Sequence, residues 1–128
     1  MTGPFIYIGT STIREGKLDE CRSMLREITE LVERHEPRVI AFNCYVEEES
    51  RTAVCVQVHP DATSMDHHMQ VIGEHLTTAY GVLEATVSEQ LYGPGGERMV
   101  DEFRKWAPDA TFTVIPHHEV GLTRTATA

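Results

Sequence analysis

The 128-residue sequence contains no stretch of about 20 consecutive apolar residues, the length that a membrane-spanning helix needs. Residues 1–10 also lack the basic segment and long apolar run of a secretory signal. Positive charge is scarce, because 11 Lys and Arg stand against 20 Asp and Glu, which gives a formal net charge of -9. Binding to nucleic-acid phosphates or to an anionic membrane surface depends on clustered cations. We therefore expect a cytoplasmic protein that binds neither nucleic acid nor membranes.

Cysteine is also sparse, and Cys21, Cys44 and Cys55 form no CxxC pair. An odd number of cysteines in a cytoplasmic chain favours reduced thiols that pack as small hydrophobic side chains. None of the seven histidines has zinc-like spacing with cysteine, so we expect no metal site. The sequence has no GxSxG or P-loop motif. The glycine-rich segment 93–98 precedes a predicted helix and could hold an anion there, although a plain turn explains it better.

The segment from Ser64 to Tyr80 is where an apolar stripe meets histidine. Its apolar residues recur at helical spacing and define one face of a predicted helix. His68 and His75 each follow a member of the stripe by three residues, so both lie on one edge of it. A histidine at that edge can reach a cavity, but ordinary boundary histidines fit the pattern equally well. The stripe consists of Met65, Met69, Ile72, Leu76 and Ala79.

The remaining hydrophobic patterns predict five strands and two further helices. Their order begins strand, helix, strand, strand, helix, strand, which is the split βαβ pattern of a ferredoxin-like α+β domain. This pattern predicts an antiparallel sheet with both helices on one face, followed by an extra C-terminal helix and strand. The predicted strands are Phe5–Ile13, Val39–Glu47, Thr52–His59, Leu83–Tyr92 and Thr111–Leu122, and the helices flanking the Ser64–Tyr80 helix are Lys17–His35 and Glu97–Trp106.

The chain length predicts one domain over residues 1–128. Residues 5–92 form the expected ferredoxin-like core, residues 93–122 the added helix and strand, and residues 123–128 a disordered tail. Pro116 interrupts the last predicted strand, and a proline confines such a strand to a sheet edge or a bulge.

The central hairpin carries the clearest pairing information. Its polar link, residues 48–51, has hairpin length, and a symmetric hairpin sets Cys44 directly opposite Cys55. Cβ atoms of cross-strand neighbours lie about 4.5–5.5 Å apart, which is wider than a disulfide prefers. We therefore predict a packed thiol pair, with an oxidation-sensitive disulfide as the alternative.

Both faces of this hairpin are largely apolar. One face reads as wholly apolar, and the other as mostly apolar with Asn43 and Gln57 among its residues. An antiparallel sheet with one solvated face should alternate more cleanly. Because the chain has few helices to cover a second face, we predict a homodimer that packs sheet to sheet.

Over Phe5–Tyr92 the chain resembles the antibiotic-biosynthesis-monooxygenase-like proteins of the dimeric α+β barrel superfamily. The resemblance lies in the element order, in EGKLDECRSMLREITELVERHEPRVIAFNCYV, and in the hairpin followed by SMDHHM. His68 falls on a histidine that is common in that family. His59 takes the place, at the end of the third strand, where the family often has tryptophan. The resemblance is a diffuse pattern and not a catalytic signature.

The resemblance implies a dimer, a pocket between sheet and helices, and oxygenation of a quinol-like or polycyclic aromatic molecule without metal or flavin. Haem-degrading relatives use an Asn, Trp and His set. This sequence has no matching tryptophan and no asparagine in its first strand, so haem degradation is not expected. The extra helix with Trp106 and the last strand go beyond the minimal family domain.

A cofactor-independent oxygenase needs a base, polar groups that hold a phenol, and a dry cavity. We take His68 and His75 as candidate bases. The candidate substrate-binding residues are Asn43, Tyr45, His59, Met65, Met69, Tyr80 and Trp106. Polar contacts at a dimer face explain Asn43 and Tyr45 better than catalysis does, and simple core packing is the better explanation of the methionines and Trp106. The alternative function is a non-enzymatic dimeric module that binds a small ligand, and the lining of the cavity distinguishes the two.

Overall fold

A computed structural model describes residues 3–124 and shows an α+β fold. Two short 3-10 turns, Gly73–His75 and Gly96–Met99, lead into the third and fourth helices. The strands are β1 (Phe5–Ile13), β2 (Ala41–Glu47), β3 (Thr52–His59), β4 (Leu83–Tyr92) and β5 (Thr111–Ile115). The helices are α1 (Leu18–His35), α2 (Ala62–Ile72), α3 (Leu76–Val82) and α4 (Val100–Trp106).

The five strands form one sheet in the order β2-β3-β1-β4-β5. The first four pair antiparallel, which confirms the ferredoxin-like core. The added strand β5 extends this sheet at its edge and runs parallel to β4. A parallel neighbour requires a crossover connection, and the segment that contains α4 supplies it.

The last strand is at the edge of the sheet, as its proline predicts, but it is shorter than expected. It ends at Ile115 and not at Leu122. Pro116 has no N–H with which to continue the ladder. Residues 123 and 124 are described without regular structure, and the rest of the predicted tail lies outside the described residues.

The predicted Ser64–Tyr80 helix is two helices. Asp61 caps α2 by accepting the Ser64 N–H at 3.0 Å, which explains a start earlier than Ser64. The helix then gives way to a 3-10 turn at Gly73, a residue of low helix propensity, before α3 begins. This break separates His75 from the helical stretch that carries His68.

The helices lie on one face of the sheet over two separate core clusters. The first includes Phe5, Met65 and Phe103 and joins β1 to α2 and α4. The second includes Ile13 and Cys21 and joins β1 to α1 and α3. Both ends of the long strand β1 are therefore anchored by apolar packing, and the region between the two clusters is left less tightly filled.

The hairpin register confirms the predicted pairing of Cys44 with Cys55, and both cysteines are free thiols. The same register corrects the assignment of polar residues to one face. Gln57 is buried on the helix side, whereas Asn43 is exposed on the opposite, outer side. Because Cys44 and Cys55 share a face, Asn43 and Gln57 cannot share one.

A β-bulge in β4 changes which of its side chains face the helices. The register shifts where Thr10 and Ser11 of β1 pair with Ser88 and Thr86, which leaves Val87 unopposed. Val87 is 51% exposed for that reason, although strict alternation would bury it beside Leu91. Within residues 3–124, none of the helices combines the length and apolar character needed to cross a membrane.

Candidate active site in a cavity between the sheet and the helices

A cavity of about 280 Å³ lies between the helix side of the sheet and the helices. Its lining includes Met65 and Phe103 of the first core cluster and Met24 and Ala53 of the second. The cavity therefore occupies the gap between the two clusters. Most of its surface is apolar, and a few polar side chains of β1, β3, β4 and α2 interrupt it.

Five of the predicted site residues line this cavity: His68, Met65, Met69, Tyr80 and Trp106. Four others do not. His59 is fully buried behind the wall, and His75 is half-buried in the 3-10 turn. Tyr45 is 58% exposed on the outer side of the sheet, and Asn43 borders a shallow cleft beside α1. The predicted site residues on α2, α3 and α4 therefore meet at the cavity, whereas those on the outer side of β2 do not.

Tyr80 and Trp106 lie at the rim of the cavity. Their rings stack with centroids 6.2 Å apart and an interplanar angle of 24°. Each is nearly half exposed, so the pair has one side toward solvent and one toward the cavity. The extra C-terminal helix α4 therefore supplies part of the entrance.

His68 is held by a buried carboxylate. Its Nδ1 lies 3.0 Å from both carboxylate oxygens of Glu36, a residue just after the end of α1. Both side chains are at most 2% exposed. Since Nδ1 is committed to Glu36, Nε2 is the ring nitrogen left for a ligand, and no protein group within residues 3–124 hydrogen-bonds to it. A histidine oriented by a carboxylate in this way is suited to accept a proton.

His59 belongs to a second polar group behind the wall. Its ring nitrogens contact Ser64 Oγ at 2.7 Å and Gln57 Oε1 at 2.9 Å. Burial, and after it the electrostatic influence of the neighbouring His68, lowers the pKa of His59 to about 4. His59 is therefore neutral near pH 7, and its hydrogen bonds orient Gln57, whose side chain does line the cavity.

A tyrosine and a glutamate form a third polar group, on β1 and β4. The Tyr7 hydroxyl contacts Glu89 Oε1 at 2.5 Å, and both residues line the cavity. Burial raises the pKa of Glu89, and the hydrogen bond from Tyr7 opposes this rise only in part. Burial raises the pKa of Tyr7 well above its usual value.

Gly9 makes this arrangement possible. The Tyr7 side chain folds over Gly9, and a Cβ added at Gly9 would lie 2.3 Å from the Tyr7 hydroxyl oxygen. Only glycine at this position leaves room for Tyr7 to reach Glu89, which is the antiparallel partner of Gly9 on β4.

The thiol pair also faces the cavity. Cys55 Sγ lies 3.4 Å from Gln57 Nε2, and Cys44 is its cross-strand partner. The hydrogen bond from the Cys55 thiol lowers the pKa of Cys44, and the same bond together with burial raises the pKa of Cys55. The two thiols therefore differ, with Cys44 the more acidic.

Sequence reasoning missed Tyr7, Glu36 and Glu89. A signal existed for Glu89, because strict alternation along β4 sets this acidic residue on the same face as the apolar Leu91. Tyr7 carried no such signal, since a tyrosine in a strand with two apolar faces is ordinary. No group of three or more His, Cys, Asp or Glu side chains in residues 3–124 is arranged to hold a metal ion.

No protein-family model matches this sequence, and no curated protein matches it significantly. Solved structures do match its fold. MupZ from Pseudomonas fluorescens superposes with a TM-score of 0.74 at 16% identity, covering 98% of this chain and 99% of its own. A protein from Bacteroides thetaiotaomicron, provisionally named as an antibiotic biosynthesis monooxygenase, gives 0.59 at 16% identity over 66% of this chain and 83% of its own.

A similarly named protein from Chloroflexus aurantiacus gives a TM-score of 0.56 at 11% identity, over 70% of this chain and 90% of its own. The chain has the antibiotic biosynthesis monooxygenase-like fold. The two proteins with that provisional name match only about two thirds of this chain, so the ABM-like fold accounts for a core of that size. The likeness to MupZ spans nearly the whole chain and so includes the extra helix and strand.

Proposed function

We propose that this chain is a cofactor-independent monooxygenase that acts on a small phenolic, quinol-like aromatic molecule. The observation that supports this most is the side chain of His68 in the lining of a mostly apolar cavity, with its ring fixed by buried Glu36. The neighbours of the same fold that are provisionally named as monooxygenases favour this reaction class.

The chemistry requires a base and an apolar site. His68 Nε2 takes a proton from the substrate, and the resulting anion is electron-rich enough to reduce oxygen. For a ring CH₂ group, the overall change inserts one oxygen atom as a carbonyl, and the other oxygen leaves with both hydrogens as water. All the electrons come from the substrate, so no external reductant is needed. The apolar wall keeps bulk water away from the anion.

The size of the cavity limits the substrate. A volume of about 280 Å³ lies just below the usual range of ligand pockets, which is ~300–1,000 Å³. A single fused aromatic system fits this space better than a long or branched ligand. The flat stacked pair of Tyr80 and Trp106 at the rim suits the entry of a planar molecule.

The competing function is a module that binds such a ligand without changing it. The mostly apolar lining fits both functions. A lining with a convergent histidine favours catalysis, and His68 meets that criterion, whereas His75 lies outside the lining. We therefore assign the base to His68.

We also propose that two copies of the chain pack through the outer side of the sheet. That side carries alternating aliphatic residues of β1 and β3, which no helix covers within residues 3–124. Their register sets Ile6 beside Val58 and Ile8 beside Val56, so the aliphatic side chains form one continuous surface. A surface of this kind is typical of an interface.

Oxygen consumption tests the proposed reaction. Chelator-treated protein, with no added cofactor, is given a panel of hydroquinones and anthrones, and uptake is recorded against enzyme concentration. The variant His68→Gln should lower the rate by about 10²-fold or more, because it removes the general base. The matched control is His67→Gln, since His67 is adjacent in sequence but exposed and outside the cavity lining.

Supporting results are uptake proportional to enzyme, one atom of labelled oxygen in the product, and an unchanged rate in His67→Gln. No uptake across the panel, or equal rates in His68→Gln and the wild type, would end the oxygenase proposal. In the first case a bound aromatic ligand, detected by calorimetry, would favour the binding module.

A further inference from the structure

We propose that Tyr7 and Glu89 form an oxyanion-binding pair, in which a neutral Glu89 supports the Tyr7 hydroxyl and Tyr7 donates a hydrogen bond to a phenolate or enolate oxygen in the cavity. The proposal rests on the proposed function only in taking this cavity as the substrate site. It adds to the base at His68 a separate group that stabilises the anion formed by that base.

The geometry fixes the Tyr7 hydroxyl beside the carboxyl group. Tyr7 lies on the central strand β1, and its ring packs edge-on against Phe103 with centroids 5.8 Å apart. Its hydroxyl oxygen lies 2.5 Å from Glu89 Oε1. Phe103 on one side and the glycine at position 9 on the other restrict the ring, so the hydroxyl has a defined position at the cavity wall.

The surroundings of Glu89 favour its neutral form. Its Oε2 is buried and has no hydrogen-bond partner, and no Lys, Arg or His within residues 3–124 forms an ion pair with it. The residue is 7% exposed. An unpaired buried carboxylate is costly, whereas the carbonyl oxygen of a protonated acid tolerates the lack of a partner far better. The burial-driven rise in the pKa of Glu89 acts in the same direction.

The proton on Glu89 decides what Tyr7 can do. A hydroxyl has a single proton to donate. If Glu89 were ionised, that proton would be held by Oε1, and the charge would repel a substrate anion. With Glu89 protonated, Oε1 donates to the Tyr7 oxygen, and the Tyr7 proton is free to turn toward the cavity. A carboxylic acid kept neutral by an apolar site serves as a hydrogen-bond donor in this way.

The ligand class follows from this arrangement. The pair recognises an oxygen that becomes negative during the reaction, as in phenols, hydroquinones, anthrones and enols. Donors that are themselves uncharged stabilise such an oxygen as it develops charge. In a chain with a net charge of -9, a neutral donor pair is a way to hold an anion in a cavity whose lining, within residues 3–124, contains no Lys or Arg.

The test compares an ionisable ligand with one that cannot ionise. Binding of 4-nitrophenol and of 4-nitroanisole is measured at pH 6, and the absorption band of the nitrophenolate reports the bound anion. The wild type should bind the anion in preference to nitroanisole. Tyr7→Phe should lose that preference by about tenfold to hundredfold, the usual effect of a hydrogen bond to a charged group. Binding of nitroanisole should be nearly unchanged.

Two substitutions at Glu89 separate a neutral donor from a carboxylate. Glu89→Gln retains an N–H that can donate to Tyr7, so it should keep most of the preference for the anion, whereas Glu89→Leu should lose it. Tyr92→Phe is the matched control, because the Tyr92 hydroxyl contacts Gln90 and Tyr92 is absent from the cavity lining. If Tyr7→Phe does not fold, Gly9→Ala displaces the Tyr7 hydroxyl instead.

The outcomes are distinct. Equal anion preference in Tyr7→Phe and the wild type overturns the pair, as does a Glu89→Gln variant that behaves like Glu89→Leu. Failure of the wild type to bind either ligand also overturns the pair, while oxygen uptake still decides the reaction. If the wild type prefers the anion and Tyr7→Phe does not, but no oxygen is consumed, the result supports the pair and contradicts the oxygenase proposal.

Discussion

Buried polar side chains at the cavity have specific partners, and His59 illustrates what burial does to a titratable group. It is fully buried between β3 and α2, where Ser64 and Gln57 satisfy both ring nitrogens. Such an environment accepts a neutral imidazole and rejects an imidazolium. The burial of His59 therefore makes the stability of the whole fold depend on pH.

We predict that acid destabilises this protein through His59. An unfolded histidine titrates near pH ~6.5, whereas the pKa of folded His59 is about 4. Between these values the unfolded chain binds a proton that the folded chain does not, so the free energy of unfolding falls as the pH falls through this window. Urea denaturation at pH 7, 6, 5 and 4 measures this decrease.

The variant His59→Gln isolates the contribution of this histidine. The wild type should lose on the order of 2 kcal/mol more than His59→Gln between pH 7 and pH 4, because the variant has no imidazole to protonate. Carboxyl groups such as Glu89 titrate in both proteins, and their effects cancel in the difference. Parallel stability curves for the two proteins would show that His59 is not the responsible group.

At this scale the sequence indicated some residues of the cavity lining and its polar groups but not others. Met65, Met69 and His68 were predictable because helical spacing assigns a side chain to a face. Glu36 was not, because it follows the end of α1 and contacts His68 across 32 positions of the chain. Tyr7 lies close to Glu89 because β1 pairs with β4. The hydrophobic periodicity of a single segment cannot predict which strands pair.

At the scale of elements, α1 and the central hairpin were predicted nearly to their ends, because caps, prolines and alternation are local signals. The break between α2 and α3 and the bulge in β4 were not predicted. Both are places where the chain departs from a regular period to fit its neighbours. As a consequence, His75 lies in a 3-10 turn and Val87 is exposed, whereas regular periodicity predicted a helical position for His75 and a buried one for Val87.

Two glycines in different elements should respond oppositely to alanine. Gly73→Ala should stabilise the protein by about 0.4–1 kcal/mol, because its backbone is helical (φ -51, ψ -39) and its Cβ would meet no atom within 4 Å. Gly9→Ala should destabilise it by about 1–3 kcal/mol, because the new Cβ would overlap Tyr7. Urea denaturation of each variant gives the two values.

The two substitutions serve as controls for each other, since both add one methyl group to a glycine. Ligand affinity should change in Gly9→Ala but not in Gly73→Ala, because only Gly9→Ala moves a side chain of the cavity lining. A Gly9→Ala protein as stable as the wild type would mean that Tyr7 can rotate away at little cost. That result would weaken the case for a rigidly positioned hydroxyl.

At the scale of the molecule, the helices cover one side of the sheet and, within residues 3–124, leave the other side uncovered. The helices and the cavity occupy the first, and the aliphatic residues of β1 and β3 occupy the second. Placing the uncovered sides of two copies together would bury both surfaces and leave the cavity entrances unobstructed. The proposed dimer therefore does not compete with ligand entry.

We predict that Val56→Glu converts the proposed dimer to a monomer. Val56 is at the middle of the outer side, where it pairs with Ile8 on one strand and Asn43 on the other. Two glutamates brought together in an apolar interface would lose hydration without gaining partners. Light scattering after size exclusion gives the mass of each variant.

The control is Ser50→Glu, which adds the same charge in the exposed hairpin loop. The wild type and this control should have twice the mass of the 14.4 kDa chain, and Val56→Glu should have the mass of a single chain. A monomeric wild type at all concentrations would exclude the sheet-to-sheet dimer.

Trp106 gives the protein a built-in optical reporter. It is the only tryptophan in the sequence, so all the indole fluorescence of the chain originates at the cavity entrance. The ring is 46% exposed and stacked on Tyr80, and both its hydration and its stacking must change when a planar molecule passes. Ligand entry can therefore be followed by emission intensity and wavelength in the unlabelled protein, including on the millisecond timescale of a stopped-flow instrument.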